Sequence, residues 1–182
     1  MKMHVASALI ALAAFGGIAR AEDAPVTFTG GHDIGKDDHG RPCVLIAAAL
    51  GVKTEVFREA FSGVTPAKGG KPSDDEARKN KEALLKVLKP HGVTNERLDE
   101  VSNYYRFKPQ DGALWKNTDA KAHAVVEGGK VVKVVIDEAG AGYSTPPKVT
   151  VKGFEKVEFV VTLHFDKDMA KNGSIKSIEV KK

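Results

Sequence analysis

The spacing of apolar positions changes period once along this chain. Before residue 110 it follows the helical interval, and from Lys121 it alternates. "PCVLIAAAL" (Pro42–Leu50) reads as a short, very apolar helix stopped by Gly51, and Thr54 reads as the cap of "EVFREAFS", which Gly63 and Pro66 end. After the polar stretch "TPAKGGKP", Ser73 and Glu76 have the spacing of a capping box. The helix they open carries Ala77, Leu84, Leu85 and Leu88 at helical intervals and stops before Pro90. Thr94 caps a fourth helix, with Val93 and Leu98 placed as a hydrophobic staple and Leu98, Val101 and Tyr105 as its inner stripe.

The second half reads as strands. "KAHAVVE", a Gly128-Gly129 turn and "KVVKVVI" predict a hairpin, and "KVTV", "VEFVVTLHF" and "SIKSIEV" predict three further strands. "GKVVKVVI" from Gly129 is partly repeated by "GSIKSIEV" from Gly173, 44 residues later, which suggests one β unit and part of a second. The expected fold is therefore α+β: a small four-helix N-terminal bundle followed by an antiparallel β module of about five strands. The boundaries read as 1–21 for a signal peptide, 22–108 for the helical region, 109–120 for a linker and 121–182 for the β module. Each half is expected to hold its own core.

The signal peptide is inferred from Lys2, the apolar run Val5–Ile18 and the small residues Ala19 and Ala21, which place cleavage after Ala21. That run is shorter than a membrane span, and no second candidate follows. The mature chain of 161 residues (182 minus 21) carries 26 basic against 24 acidic side chains, a net charge of +2. Residues 22–108 hold 14 of each sign, so the helical half lacks the one-sided basic surface of a nucleic-acid binder. One cysteine, Cys43, excludes an internal disulfide, and core packing has to hold the fold.

Several stretches offer chemistry. "AGAGYSTPPKVTV" (residues 139–151) is either a ligand loop or a way to turn a sheet. Gly140 and Gly142 can take positive φ, Pro146 and Pro147 hold an extended lead into the next strand, and Tyr143 can cover the sheet end. A phosphate-cradling loop needs a following helix or a lysine at fixed spacing, and a strand follows here, so the turn reading is preferred. "GHDIGKDDHG" gathers His32, Asp33, Asp37, Asp38 and His39. Of these, His32, Asp37 and His39 are the candidate zinc or calcium donors, but their spacing matches no standard ligand pattern, and a solvated lead-in to a helix is the simpler account.

Cys43 in a first helical turn near His32 and His39 could be drawn as a nucleophile, but a small apolar core residue is the preferred reading. "DKDMAKNGS" has Ala170 and Lys171 where a calcium loop needs oxygen and glycine. Asn172-Gly173-Ser174 is a glycosylation sequon but reads more simply as an Asn-Gly hairpin turn. "IAAALGVKTEVFREAF" has helix-turn-helix spacing, yet Glu55 and Glu59 on its second helix would repel phosphate.

The "GAGYSTPPKVTV" segment, with "GKVVKVVI" before it, resembles the Gly-x-Gly-Tyr repeat units found in tandem in bacterial secreted and surface proteins and in phage tail-fibre proteins. The helical half, through "HGRPCVLIAAALGVKTEVFREAFSGV" and "RLDEVSNYYRF", is similar to a group of uncharacterised exported proteins of environmental bacteria that join such a region to one unit of this kind. The resemblance implies an exported, non-enzymatic protein and supplies no catalytic residues. A second unit stops at Lys182, where another Gly-x-Gly-Tyr segment would begin.

The expectation is thus a binding or interaction protein of the cell envelope, with another envelope protein or a polysaccharide as partner and no cofactor or nucleic acid. Tyr143, Gly140, Gly142 and Trp115 are its candidate binding residues, followed by Tyr104 and Tyr105. The competing reading is a secreted hydrolase or metal-binding protein built on His32, Asp37 and His39.

Overall fold

The computed structural model describes residues 21–65, 72–106 and 113–181, so the signal segment before Ala21 and positions 109–112 of the expected linker lie outside the described residues. The four predicted helices form: α1 (Cys43–Leu50), α2 (Thr54–Ser62), α3 (Asp74–Leu88) and α4 (Asn95–Tyr104). Gly51 ends α1 in the left-handed region at φ 74°, as a glycine after the last turn should. The Ser73–Glu76 capping box opens α3 with both of its hydrogen bonds made. Thr94 Oγ1 accepts the Arg97 N–H at the start of α4. Two starts differ by one residue: Pro42 is the N-cap of α1 and not its first residue, and Lys53 is the N-cap of α2, so that Thr54 is already helical.

Among the described residues the first element is not a helix. Glu22–Thr29 is a strand, β1, inside what reads as the helical region, and it joins a four-stranded antiparallel sheet of order β3-β2-β1-β4. The other three members are β2 (Lys121–Glu127), β3 (Lys130–Glu138) and β4 (Lys148–Val151). β5 (Phe159–His164) and β6 (Ser174–Val180) form a separate antiparallel pair. Among the described residues the β module therefore has six strands rather than about five, and the first of them comes from before the helices. Pro25 hides this strand, because proline inside an apolar run argues against a central strand. The register shows how it fits: Glu22–Pro25 pair with β2, and Val26–Thr29 pair with β4. The register of β1 passes from β2 to β4 at Pro25, whose carbonyl accepts the Lys152 N–H just past the end of β4.

Alternation along the strands selects the buried face. Ala24, Val26 and Phe28 of β1, and Phe159, Val161 and Leu163 of β5, turn inward at every second position. Val26, Phe28, Val134, Ile136, Val149, Ile175, Ile178 and Tyr143 share one cluster, so the two sheets enclose a common core, with β6 beside β3. The helices bury a second cluster around Leu45, Ile46, Phe57, Leu88, Leu98, Val101 and Tyr105. That cluster takes Trp115 and Met169 from the C-terminal half, which fastens the two parts together.

Candidate functional site

The Gly140–Thr145 corner is where the fold converges. After β3 the chain turns through Gly140 at φ 65° and Gly142 at φ 85°, values an L side chain rarely adopts. A Cβ on Gly140 would lie 2.7 Å from the Thr118 carbonyl oxygen, and one on Gly142 would lie 2.8 Å from Asn117 Cβ. The glycines are therefore required twice, by torsion and by space. Ala141, Gly142, Tyr143 and Ser144 are all buried.

The five backbone N–H groups from Ala141 to Thr145 all donate to backbone carbonyls. Ala141 N–H donates to Thr118 O at 2.9 Å, Gly142 N–H to Asn172 O at 2.8 Å and Tyr143 N–H to Gly173 O at 3.0 Å. Ser144 and Thr145 N–H both donate to Gly31 O, at 2.9 and 3.2 Å. A loop that cradles an anion presents free N–H groups, and here they are spent on three separate segments of the chain.

The aromatic candidates close the same joint. The Tyr143 hydroxyl accepts the Ala120 N–H at 3.0 Å, and its ring is 1% exposed. Burial raises the pKa of that phenol, which stays protonated. Trp115, also 1% exposed, donates its Nε1–H to Gly142 O at 2.8 Å. Residues 113–120, read as linker, are thus packed: Thr118 bridges to Ala141, and Trp115 sits in the helical core. Tyr105 is buried, and its hydroxyl accepts from Asn172 Nδ2 at 2.9 Å; burial pushes its pKa up to about 12. The half-buried Tyr104 donates its hydroxyl to Met169 O at 3.3 Å.

Asn172 matters more than its neighbours suggest. Its fully buried Nδ2 also donates to Leu45 O of α1 at 2.8 Å, and its Oδ1 accepts the Asp166 N–H. It lies in the long β5–β6 connection and not in a tight Asn-Gly turn, and its buried side chain is not open to glycosylation. The loop 165–173 is nine residues long (173 minus 164), and it docks on the helices. Arg97 reinforces the contact, donating Nη2–H to Ala49 O and Lys167 O at 2.8 and 2.7 Å. An exposed-looking "KNG" gives no sequence signal of this role; the β repeat, which aligns Gly173 with Gly129, comes nearest.

The polar cluster before α1 is dispersed. Asp38 is buried and accepts from Arg58 Nε at 2.6 Å, while Asp37 and His39 are exposed, with the His39 ring 6.4 Å from that of Phe61. Cys43 is fully buried, and its thiol donates to the Asp38 carbonyl. Burial, reinforced by the Asp38 carboxylate, raises its pKa to about 12, so thiolate chemistry is suppressed. Among the described residues, no group of three His, Cys, Asp or Glu side chains is placed to hold a metal ion.

His32 is drawn away from that cluster to the Gly140–Thr145 corner. Its ring stacks on Tyr143 with centroids 5.1 Å apart and lies tilted 5.9 Å from Trp115. It borders a cleft of about 370 Å³ whose other walls include Thr27, Phe28, Asp119 and Tyr143. A second cleft, of about 320 Å³, lies between the two parts of the fold, lined by Asp33, Asp38, Glu55, Arg58, Ser144 and Thr145. In the helix pair α1–α2, Leu45, Ile46, Ala49 and Leu50 of α1 are buried in the core together with Phe57 and Ala60 of α2. No described helix is long and apolar enough to cross a membrane. No family model matches the chain, and neither the curated proteins nor the solved structures contain a match to it.

Proposed function

We propose that the protein is an exported, non-enzymatic binding or interaction component of the cell envelope, acting on another envelope protein or a polysaccharide. The observation that carries this reading is the fate of the reactive groups. Cys43 is a buried thiol, Asp38 is tied to Arg58 and His32 is stacked on Tyr143, so each is engaged in holding the fold. What the described surface offers instead includes clefts of mixed polar and apolar lining, one of them beside Lys152 and Phe154, suited to contact rather than to bond making. The apolar run Val5–Ile18 with Ala19 and Ala21 after it supports export, and the Gly-x-Gly-Tyr likeness supports a surface role.

Residues 22–182 immobilised and exposed to envelope extract should retain a discrete partner, or retain polysaccharide from a cell-wall fraction. Lys152→Glu and Glu55→Lys, one change beside each part of the fold, identify the contact surface by loss of retention. A hydrolytic activity on envelope polymers that His32→Ala or His39→Ala abolishes, with stoichiometric metal in the purified protein, would replace this reading with the hydrolase.

A further inference from the structure

The His32 ring occupies an unusual position for a titratable group. It sits against two buried aromatic rings, and its Nε2 is itself buried with no hydrogen-bond partner. A neutral imidazole leaves one nitrogen as a bare acceptor, which an apolar wall tolerates at modest cost. An imidazolium carries an N–H at both nitrogens, and a buried charged donor without an acceptor is far more costly. The groups bearing on the ring are few. The Gly30 backbone and the carboxylates of Asp119, from the segment before β2, and Asp33, from its own loop, favour the proton; burial opposes it and prevails. The hydroxyl of Tyr143, on whose ring His32 stacks, accepts the Ala120 N–H.

We propose that His32 is an acid-operated latch on the Gly140–Thr145 corner: neutral, it fills the space against Tyr143 and Trp115, and protonated, it leaves that space and loosens residues 30–33. What it holds is specific. Gly31 O takes the N–H groups of Ser144 and Thr145, while Asp33 accepts both side-chain hydroxyls, Ser144 Oγ on its carbonyl and Thr145 Oγ1 on its carboxylate. Release of the ring therefore frees the end of β1 from the corner and widens the cleft beside Phe28.

The direction of the pH effect follows from linkage. Folding lowers the His32 pKa below its ordinary 6.5, so between the two values the unfolded chain binds more protons. The latch is complete above about pH 6.5 and is lost as pH falls through the folded value. His123 works the other way: its hydrogen bond to Asp137 across β2 and β3 raises its pKa, and its contribution is present at low pH and lost as pH rises. Global melting mixes the two, so a local reporter is needed.

Trp115 is the sole tryptophan and borders the space that the His32 ring fills, so its emission reports the ring's departure. In residues 22–182, native-state emission should change with a midpoint below pH 6.5. Across the same range the hydrogen-exchange protection of the Ser144 and Thr145 amides should drop at least ~10-fold beyond the intrinsic pH effect. His32→Phe, which keeps a ring on Tyr143, should abolish both changes. Emission that does not respond to pH, a midpoint at or above 6.5, or the same response in His32→Phe overturns the latch. Should that variant misfold, NMR titration of His32 in the unaltered protein decides it: unchanged Ser144 and Thr145 protection across the His32 midpoint also overturns the proposal.

Discussion

Gly128 and Gly129 turn the β2–β3 hairpin, and Gly140 and Gly142 turn the corner after β3; all four have positive φ. A Cβ added at Gly128 or Gly129 would meet nothing within 4 Å, whereas at Gly140 and Gly142 it would strike the backbone or side chains of residues 116–120. The hairpin needs glycine for torsion alone. The corner needs it for torsion and for the close approach of three other segments, which makes it a joint between the helices and the sheets whose backbone N–H groups are already spent.

Gly173 sharpens the contrast most. It has φ 69°, and its Cβ would collide with both the Tyr143 backbone and Leu45 of α1. Gly173→Ala should cost about 3–4 kcal/mol, combining left-handed strain with overpacking, as read by denaturant unfolding. Asn172→Ala removes a fully buried amide from Leu45 O, Tyr105 and Asp166 N–H, and should cost about 2–3 kcal/mol. Limited proteolysis of that variant should open the 165–173 loop first. Either variant melting like the unaltered protein would remove the joint from the account.

Tyr143→Phe leaves the buried Ala120 N–H without its acceptor and should cost about 1–2 kcal/mol, with the ring still packed. Gly129→Ala, in open space, should cost about 1 kcal/mol from torsion alone. The smallest effect concerns Cys43. Its burial and its pKa of about 12 predict that iodoacetamide labels it at pH 8 only after unfolding, while Cys43→Ala shifts stability little beyond the small cavity it leaves.

Where local chemistry decides structure, the sequence was readable. The Ser73–Glu76 box, Thr94, Gly51 and the 3.6-residue stripe of α4 act within one or two turns, so their consequences lie next to them in the chain. β1 was not readable, because Pro25 is forbidden in a doubly paired strand and allowed where the register passes from one partner to the other, a fact that depends on β2 and β4 about 100 residues away. The corner was half legible. Gly140 and Gly142 announced a turn, and Tyr143 a hydroxyl seeking a backbone partner. The meeting of Gly31, His32, Asn172 and Trp115 there rests on tertiary contacts that no local pattern encodes. The polar cluster of residues 32–39 misleads for the same reason: proximity in the chain places His32 beside Asp37 and His39, and the fold carries it to Tyr143.

The most direct test of the joint compares two single substitutions that the sequence alone would treat alike. Gly142→Ala and Gly129→Ala each force one alanine into the left-handed region, but only the first meets Asn117 and the Lys116 carbonyl oxygen. Unfolding free energies of the two variants, measured under one condition, should differ by about 2 kcal/mol, with Gly142→Ala the less stable. Equal costs at the two positions would mean that the corner is an ordinary turn with room to spare, and would return it to consideration as a ligand loop.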